Sequence, residues 1–269
     1  MKISAFIPCY NNGLGIERTI ASIRNQSVPV DEFFVVDDHS ADDSVKISSS
    51  LGVRVVQMPR NMGRGAVRAR AVAEAAHDLL LCCDAGKEIG PEFVKNALPW
   101  FEDMRVPAVF GPVIQPSPVN AVERWRGRHL FKAWTDIILH DAALVTAGSL
   151  LRVSAMKDVG NFSEQLREGE DQDLGVRLLA SGYDVICDPK LIVVSSEANT
   201  VFKVLERYWR WNTAPHGRMS AWNYLRQILF SIKVMARDDL RAGDPAAALI
   251  SLLSPHYQFW IPLITRHRP

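Results

Sequence analysis

Apolar positions along this chain fall into short continuous runs separated by stretches of helical spacing. Leu79–Cys83 is five apolar residues in succession, too short for a free-standing helix, and it predicts a central strand buried on both faces. Ile3–Pro8, Phe33–Val36 and Val53–Gln57 predict three more strands. Ile16, Ile20 and Ile23 recur at helical spacing through Ser27, and Ser40 is an N-cap candidate for a helix carrying Val45 and Ile47. An alanine-rich helix is expected over residues 66–76, and Pro91 opens another. Such alternation implies parallel strands with helices on both faces.

Beyond residue 100, Pro107–Ile114 and Leu144–Ala147 predict strands, with a basic helix over Asn120–Trp134 between them. A helix from Glu170 to Ala180 is stopped by Gly182, and Tyr183–Cys187 and Leu191–Val194 read as closing strands. From Val201 the pattern is helical, with breaks expected near Pro215-His216-Gly217, Gly243-Asp244-Pro245 and Pro255. There is no internal repeat. The shift in composition near residue 215 predicts an α/β domain over residues 1–215 and a helical extension over 216–269.

The 269 residues are 48% hydrophobic and 23% charged, ordinary for a globular protein. A formal net charge of +1 argues against a dedicated nucleic-acid binder. Met1–Ser4 leads into a short apolar run broken at Pro8, unlike a signal peptide, and no apolar run approaches the length of a membrane span. Cys9, Cys82, Cys83 and Cys187 show no metal-ligand spacing, and three of them sit in expected strands. Buried reduced thiols in a cytoplasmic protein are the expectation.

Carboxylates end three of the elements: Asp37-Asp38, Asp84 and Glu170-Asp171. Grouped carboxylates repel and need a cation, hydrogen-bond donors or helix N-termini to hold them, which points to a site for a polar ligand. Asp84 also suits a plain strand-ending turn, and Glu170-Asp171 also suits simple capping of the helix that follows. In the functional reading, one of the latter pair is a general base acting on a hydroxyl. Two Gly-x-Gly pieces, Gly13-Leu14-Gly15 and Gly63-Arg64-Gly65, have Arg18 and Arg68 where a dinucleotide fingerprint needs its third glycine. No phosphate loop is present, and nicotinamide chemistry is not expected.

Taken together, Ile7-Pro8-Cys9-Tyr10-Asn11-Asn12, Val35-Val36-Asp37-Asp38-His39-Ser40 with Asp42, Asn61-Met62-Gly63 with Arg68, Asp84-Ala85-Gly86, and Gly169-Glu170-Asp171-Gln172-Asp173-Leu174 resemble, in order and spacing, the segments of family 2 glycosyltransferases. The resemblance spans residues 3–212. It implies a GT-A-type, Rossmann-like fold: a mixed, mainly parallel sheet flanked by helices. It also implies an inverting transferase moving a sugar from a nucleoside-diphosphate sugar to a hydroxyl of a glycan or lipid-linked saccharide. By position, Pro8, Tyr10, Asn11, Asp37 and Asp38 would line the nucleotide pocket, with Asp38 on the base. Arg68 would contact base or phosphate, Asp84 the ribose or a metal, and Asp171, with Glu170 beside it, would be the catalytic carboxylate.

The chain departs from that pattern at Gly86, where the family's Asp-x-Asp motif carries its second aspartate, and at Ser195-Ser196, where a histidine often stands. A divalent cation, Mg²⁺ or Mn²⁺, would then rest on Asp84, on another ligand such as His216, or be replaced by Lys87 or arginines. Arg207-Tyr208-Trp209-Arg210-Trp211 resembles an acceptor-side motif of processive members, which places Arg207, Arg210 and Trp211 near the acceptor; a helix packing its aromatics inward is the equal alternative. Basic and aromatic residues over 218–241 suit peripheral contact with the inner face of a membrane, and equally a helix with one side on a core. Two other functions remain open: an inactive sugar-nucleotide-binding scaffold and a sugar-phosphate nucleotidyltransferase. The latter would need a basic Gly-rich loop that Ile7–Gly15 does not supply.

Overall fold

The computed structural model describes residues 1–115, 118–131, 137–195, 200–212 and 219–264. The chain packs as two compact units, one of Met1–Ile114 with Trp134–Glu197, the other of Gln115–Ala133 with Ala198–Pro269. The helical unit thus takes in the segment after residue 114 and starts again after the last strand, rather than beginning at residue 216. The reason is packing: Trp125 is fully buried in one cluster with Val204, Leu205, Tyr208 and Ile250.

The first unit runs β1 (Ile3–Cys9), α1 (Gly13–Arg24), β2 (Glu32–Asp37), α2 (Ser44–Ser50), β3 (Arg54–Gln57), α3 (Arg64–Glu74) and β4 (Leu79–Cys83). Then come β5 (Lys87–Ile89), α4 (Phe93–Ala97), β6 (Ala108–Phe110) and β7 (Val113–Ile114). In the second unit lies α5 (Ala121–Arg126), after which the first resumes with β8 (Gly148–Arg152), α6 (Val153–Asp158), α7 (Glu170–Ala180), β9 (Ile186–Cys187) and β10 (Val193–Ser195). The second unit closes with α8 (Val201–Asn212), α9 (Ala221–Phe230), α10 (Arg237–Arg241) and α11 (Pro245–Ile264).

Seven strands form one sheet in the order β3-β2-β1-β4-β8-β6-β9, and β5-β10-β7 form a small second one. β1 pairs in parallel with β2 and β4, and β2 with β3, as the alternation implied. β8 is antiparallel to both β4 and β6, which makes the sheet mixed. Phe6, Phe34, Leu80 and Cys82 share a buried cluster with Val67, Val72, Leu174 and Leu178, so α3 and α7 cover the same face of the sheet. Ile16, Ile20 and Ile23 form the buried side of α1, as their spacing required. All four cysteines are buried, unpaired and in strands.

Four local expectations need correction. The strand expected at Leu144–Ala147 lies instead at Gly148–Arg152, whose residues are all buried; Leu144 packs on α7, close to Gly175. The Pro107–Ile114 run is split between two sheets, because Gly111 approaches Leu191 too closely for any side chain. Ser40 does not cap α2: its hydroxyl and amide both go to Asp37, and α2 starts after Asp43. Finally, α11 continues through Pro255. Proline has no N–H for the carbonyl four residues back, and that carbonyl, Ser251 O, instead accepts from the Ser231 hydroxyl at 2.5 Å.

In the second unit, buried carboxylates gather the helices. Asp239 is fully buried and accepts from Arg128, from His129 at 2.9 Å and from Ser251 at 2.6 Å. Asp244 accepts from Arg124 at 2.6 Å and Arg128 at 2.7 Å, and takes the Ala247 amide at the start of α11. Burial by itself would raise the pKa of Asp239, but His129, Ser251 and Arg128 outweigh it and hold it below the usual range; Arg124 does so for Asp244. Groups with depressed folded pKa values contribute stability above the unfolded pKa, about 4, and lose it as pH falls through the folded values. Thermal melting is therefore expected to fall steeply on the acid side of pH ~4. Asp239→Asn should cost about 3–5 kcal/mol at neutral pH and flatten that acid limb. A variant with the wild-type acid slope would show the network to be irrelevant to it.

Candidate active site

The parallel register brings the ends of β1, β2 and β4 to one edge: Cys9 is level with Asp37, and the Ala85 amide reaches Pro8 O at 3.4 Å. Short polar side chains tie the loops there together. Asp37 is fully buried and accepts from Ser40, whose hydroxyl in turn takes the Asn11 amide at 2.9 Å. Asn11, held at φ 47, accepts from the Ala41 amide. Asp38 is also buried, its two oxygens accepting the amides of Met62 at 2.6 Å and Gly63 at 2.9 Å. Both aspartates therefore shape the loops. Tyr10 stands 52% exposed at the same edge, beside the half-buried Pro8.

Both Gly-x-Gly pieces turn out to be places of close approach. A side chain at Gly15 would meet Gly86 Cα at 2.8 Å, so α1 rests directly on the Asp84-Ala85-Gly86 turn. One at Gly65 would meet Ser163 O at 2.0 Å, and the Gly65 amide donates to Leu166 O at 3.0 Å. The loop before α7 is thereby pressed onto the first turn of α3. One turn further along α3, Arg68 is carried to the centre of the site.

Arg68 is the residue whose expected role changes most. It is 2% exposed and joins two carboxylates: Nη2 donates to Asp84 at 2.7 Å and Nη1 to Glu170. Burial works against its charge, but Asp84 and Glu170 prevail and raise its pKa. Glu170, expected beside Asp171 as a catalytic carboxylate, is equally buried. Burial pushes its pKa up against the pull of Arg68, and among the described residues its Oε2 has no hydrogen-bond partner. Asp171 next to it is partly exposed, one oxygen accepting the Gln172 amide at 2.9 Å. Among the described residues no side chain pairs with it.

The remaining expected residues are less gathered. Arg207 and Arg210 lie half-buried on α8 in the other unit, Arg210 3.9 Å from Glu206. The Trp211 side chain and all of His216 lie outside the described residues. Among the described residues no group of three or more His, Cys, Asp or Glu could hold a metal ion. Residue 86 is a buried glycine at φ 82, and one Asp84 oxygen is engaged by Arg68. What remains fits a hard cation shared with a ligand's phosphates, since such ions are commonly held by one or two carboxylates. It does not make a preformed metal centre. A separate hollow of about 600 Å³ at the opposite edge of the sheet, lined by Lys2, His77 and Arg152 among others, contains none of the expected site residues.

The sequence profile of Glycosyl transferase family 2 matches residues 4–159, more than half of the chain. The chain belongs to glycosyl transferase family 2. Relatives of this family member include the pre-mycofactocin glycosyltransferase of Mycobacterium tuberculosis, 28% identical over 203 residues, covering 71% of this chain and 42% of the relative. The O-antigen chain rhamnosyltransferase RfbN of Salmonella typhimurium is 22% identical over 222 residues, covering 78% and 71% respectively. The chain thus spans less than half of the mycobacterial relative. Among solved structures, the mannosyltransferase PcManGT of Pyrobaculum calidifontis, in complex with GDP-Man and Mn²⁺, superposes with a TM-score of 0.62 at 14% identity, covering 97% of this chain and 87% of that one. That likeness gives this family member the GT-A fold, with the mixed, mainly parallel sheet expected of it.

Of the site, the acidic strand ends were legible in the sequence. The two internal ion pairs of Arg68 were not, because Arg68 and Glu170 are 102 positions apart. The available signal was the pair of glycines at 63 and 65, whose meaning is close packing rather than phosphate binding.

Proposed function

We propose that this chain is an inverting glycosyltransferase that moves a sugar from a nucleoside-diphosphate sugar to a hydroxyl of a glycan or lipid-linked saccharide. The observation that carries the reading is the shared guanidinium of Arg68, which holds Asp84 at the end of β4 beside the start of α7 while Asp171 stays partly exposed. In this reading Tyr10, Pro8 and Asn11 line the nucleotide pocket on loops that Asp37 and Asp38 hold in place. Asp84, through its remaining oxygen, faces the ribose and diphosphate. Asp171 takes the proton from the acceptor hydroxyl as its oxygen bonds to the anomeric carbon; the bond to the diphosphate breaks on the opposite side, and the nucleoside diphosphate leaves. A cation bound with the donor would neutralise charge on that diphosphate. Arg207 and Arg210 are proposed for the acceptor side. The four buried, unpaired thiols fit a reducing compartment, and the cytoplasm is the one we assign.

The test is a thermal-shift series with UDP, GDP, CDP and dTDP, followed by assay of the matching sugar nucleotides for released nucleoside diphosphate. One nucleoside diphosphate should raise the melting temperature, by about 2.7 kcal/mol of added stability at a hundredfold excess over its Kd. Its sugar nucleotide should be consumed when an acceptor is supplied. A shift without turnover would favour the inactive scaffold, for which Gly86 speaks; no shift with any base would end the donor reading.

A further inference from the structure

We propose that the helical unit carries an interfacial docking surface for an anionic lipid bilayer, formed by the outer sides of α9–α10 and α11. Along its 20 residues α11 has no Asp, Glu, Lys or Arg. It buries Ala247, Ile250, Ser251, Ser254 and Gln258 against the unit. On the other side it leaves Leu249, Leu252, Leu253 and Trp260 in solvent, with Leu249 62% and Trp260 52% exposed. A surface helix of a soluble unit normally carries charge on that side. α9 has no fully buried residue. Trp222, Leu225 and Leu229 are exposed at helical spacing, and Ile232 continues the line into the π-helical turn Ser231–Ala236.

The two helices are neighbours. Tyr224 stacks on Phe259 with ring centres 4.2 Å apart, and Ser231 bonds the Ser251 carbonyl. Their apolar stripes therefore flank one seam. Contiguous exposed apolar surface of this kind marks an interaction site.

Charge selects the occupant. Arg226 and Lys233 are exposed one turn after Trp222 and Leu229, and Arg237 and Arg241 follow on the same stretch. Two of the acidic residues there are withdrawn, Asp239 and Asp244 being buried on Arg124, Arg128 and His129; the exposed Asp238 lies 3.8 Å from Arg241 and offsets it, which leaves Arg226, Lys233 and Arg237 in excess. What faces outward is an apolar stripe with tryptophans and a border of long cationic side chains, which lie their stems along apolar surface and reach polar headgroups. No described helix is long and apolar enough to cross a membrane, so contact of this kind is peripheral. This inference does not depend on sugar transfer, and its readout involves no catalysis.

Sedimentation of the full chain with phosphatidylcholine–phosphatidylglycerol vesicles, against phosphatidylcholine alone, tests it. Wild type should pellet with the anionic vesicles and be released by high salt. Arg226→Gln with Lys233→Gln should lower partitioning about 30-fold, since each basic residue near an anionic surface contributes about 1 kcal/mol. Leu249→Ser with Trp260→Ser should lower it as well, and all four positions are exposed enough to leave the melting temperature near wild type. Failure of wild type to pellet, or equal pelleting of wild type and variants, would overturn the proposal. So would a concentration-dependent dimer abolished by Leu249→Ser with Trp260→Ser, because the stripe would then belong to a second copy of the chain.

Discussion

Asp171→Asn is expected to lower the rate of sugar transfer by about 100- to 10,000-fold while leaving donor affinity close to wild type. Among the described residues the side chain accepts the Gln172 amide alone, and it is partly exposed, so little of the fold depends on its charge. Its electrostatic part in stability is that of an acid in the first turn of a helix, about 0.3–1 kcal/mol. Asparagine keeps the shape and an oxygen acceptor but cannot take a proton. Single-turnover measurement of transfer, paired with calorimetric titration of the donor nucleotide, separates the two quantities. Undiminished transfer by the variant would remove Asp171 from the chemistry, whatever the nucleotide titration showed.

The second large effect is on Arg68. Arg68→Met removes the cation between Asp84 and Glu170 and leaves Glu170 charged in a buried place, at an expected cost of about 3–5 kcal/mol. The pH dependence gives this its signature. Burial already raises the pKa of Glu170, and Arg68 opposes that rise, so the variant's value lies higher still. An acid whose folded pKa exceeds its unfolded value, about 4.3, contributes fully below the unfolded value and loses that contribution as pH rises through the folded one. The variant should therefore be weakest at neutral and alkaline pH and mend toward acid. Adding Glu170→Gln should restore much of the stability and flatten the profile without restoring transfer, since Asp84 remains without its Arg68 partner. Denaturant titrations that show the same deficit at every pH would refute this account.

Those two residues also mark how far sequence reasoning reaches. Leu79–Cys83, the three isoleucines of α1 and the strand-ending carboxylates are local patterns, and each lies in the element its spacing implied. The charge of Arg68 suggested a ligand contact, and its pairing with residues 16 and 102 positions away could not be read from the sequence. Glu170 and Asp171 are chemically alike and adjacent. Only the direction in which the helix start faces makes one buried and the other accessible. β8 was displaced for a similar reason: Leu144–Ala147 and Gly148–Arg152 are both strand-like, and pairing with β4 on one side and β6 on the other selects the second. Pro255 shows the reverse case, a strong local rule overridden by a single hydroxyl from elsewhere.

That hydroxyl makes the last helix conditional on its neighbour. Until Ser231 is in place, the carbonyl at Ser251 has no amide of its own to bind, and the polypeptide has a ready hinge one turn before Pro255. The straightness of α11 through Pro255 thus rests on a side chain twenty positions earlier in the chain, and removing that hydroxyl would leave the Ser251 carbonyl without its partner.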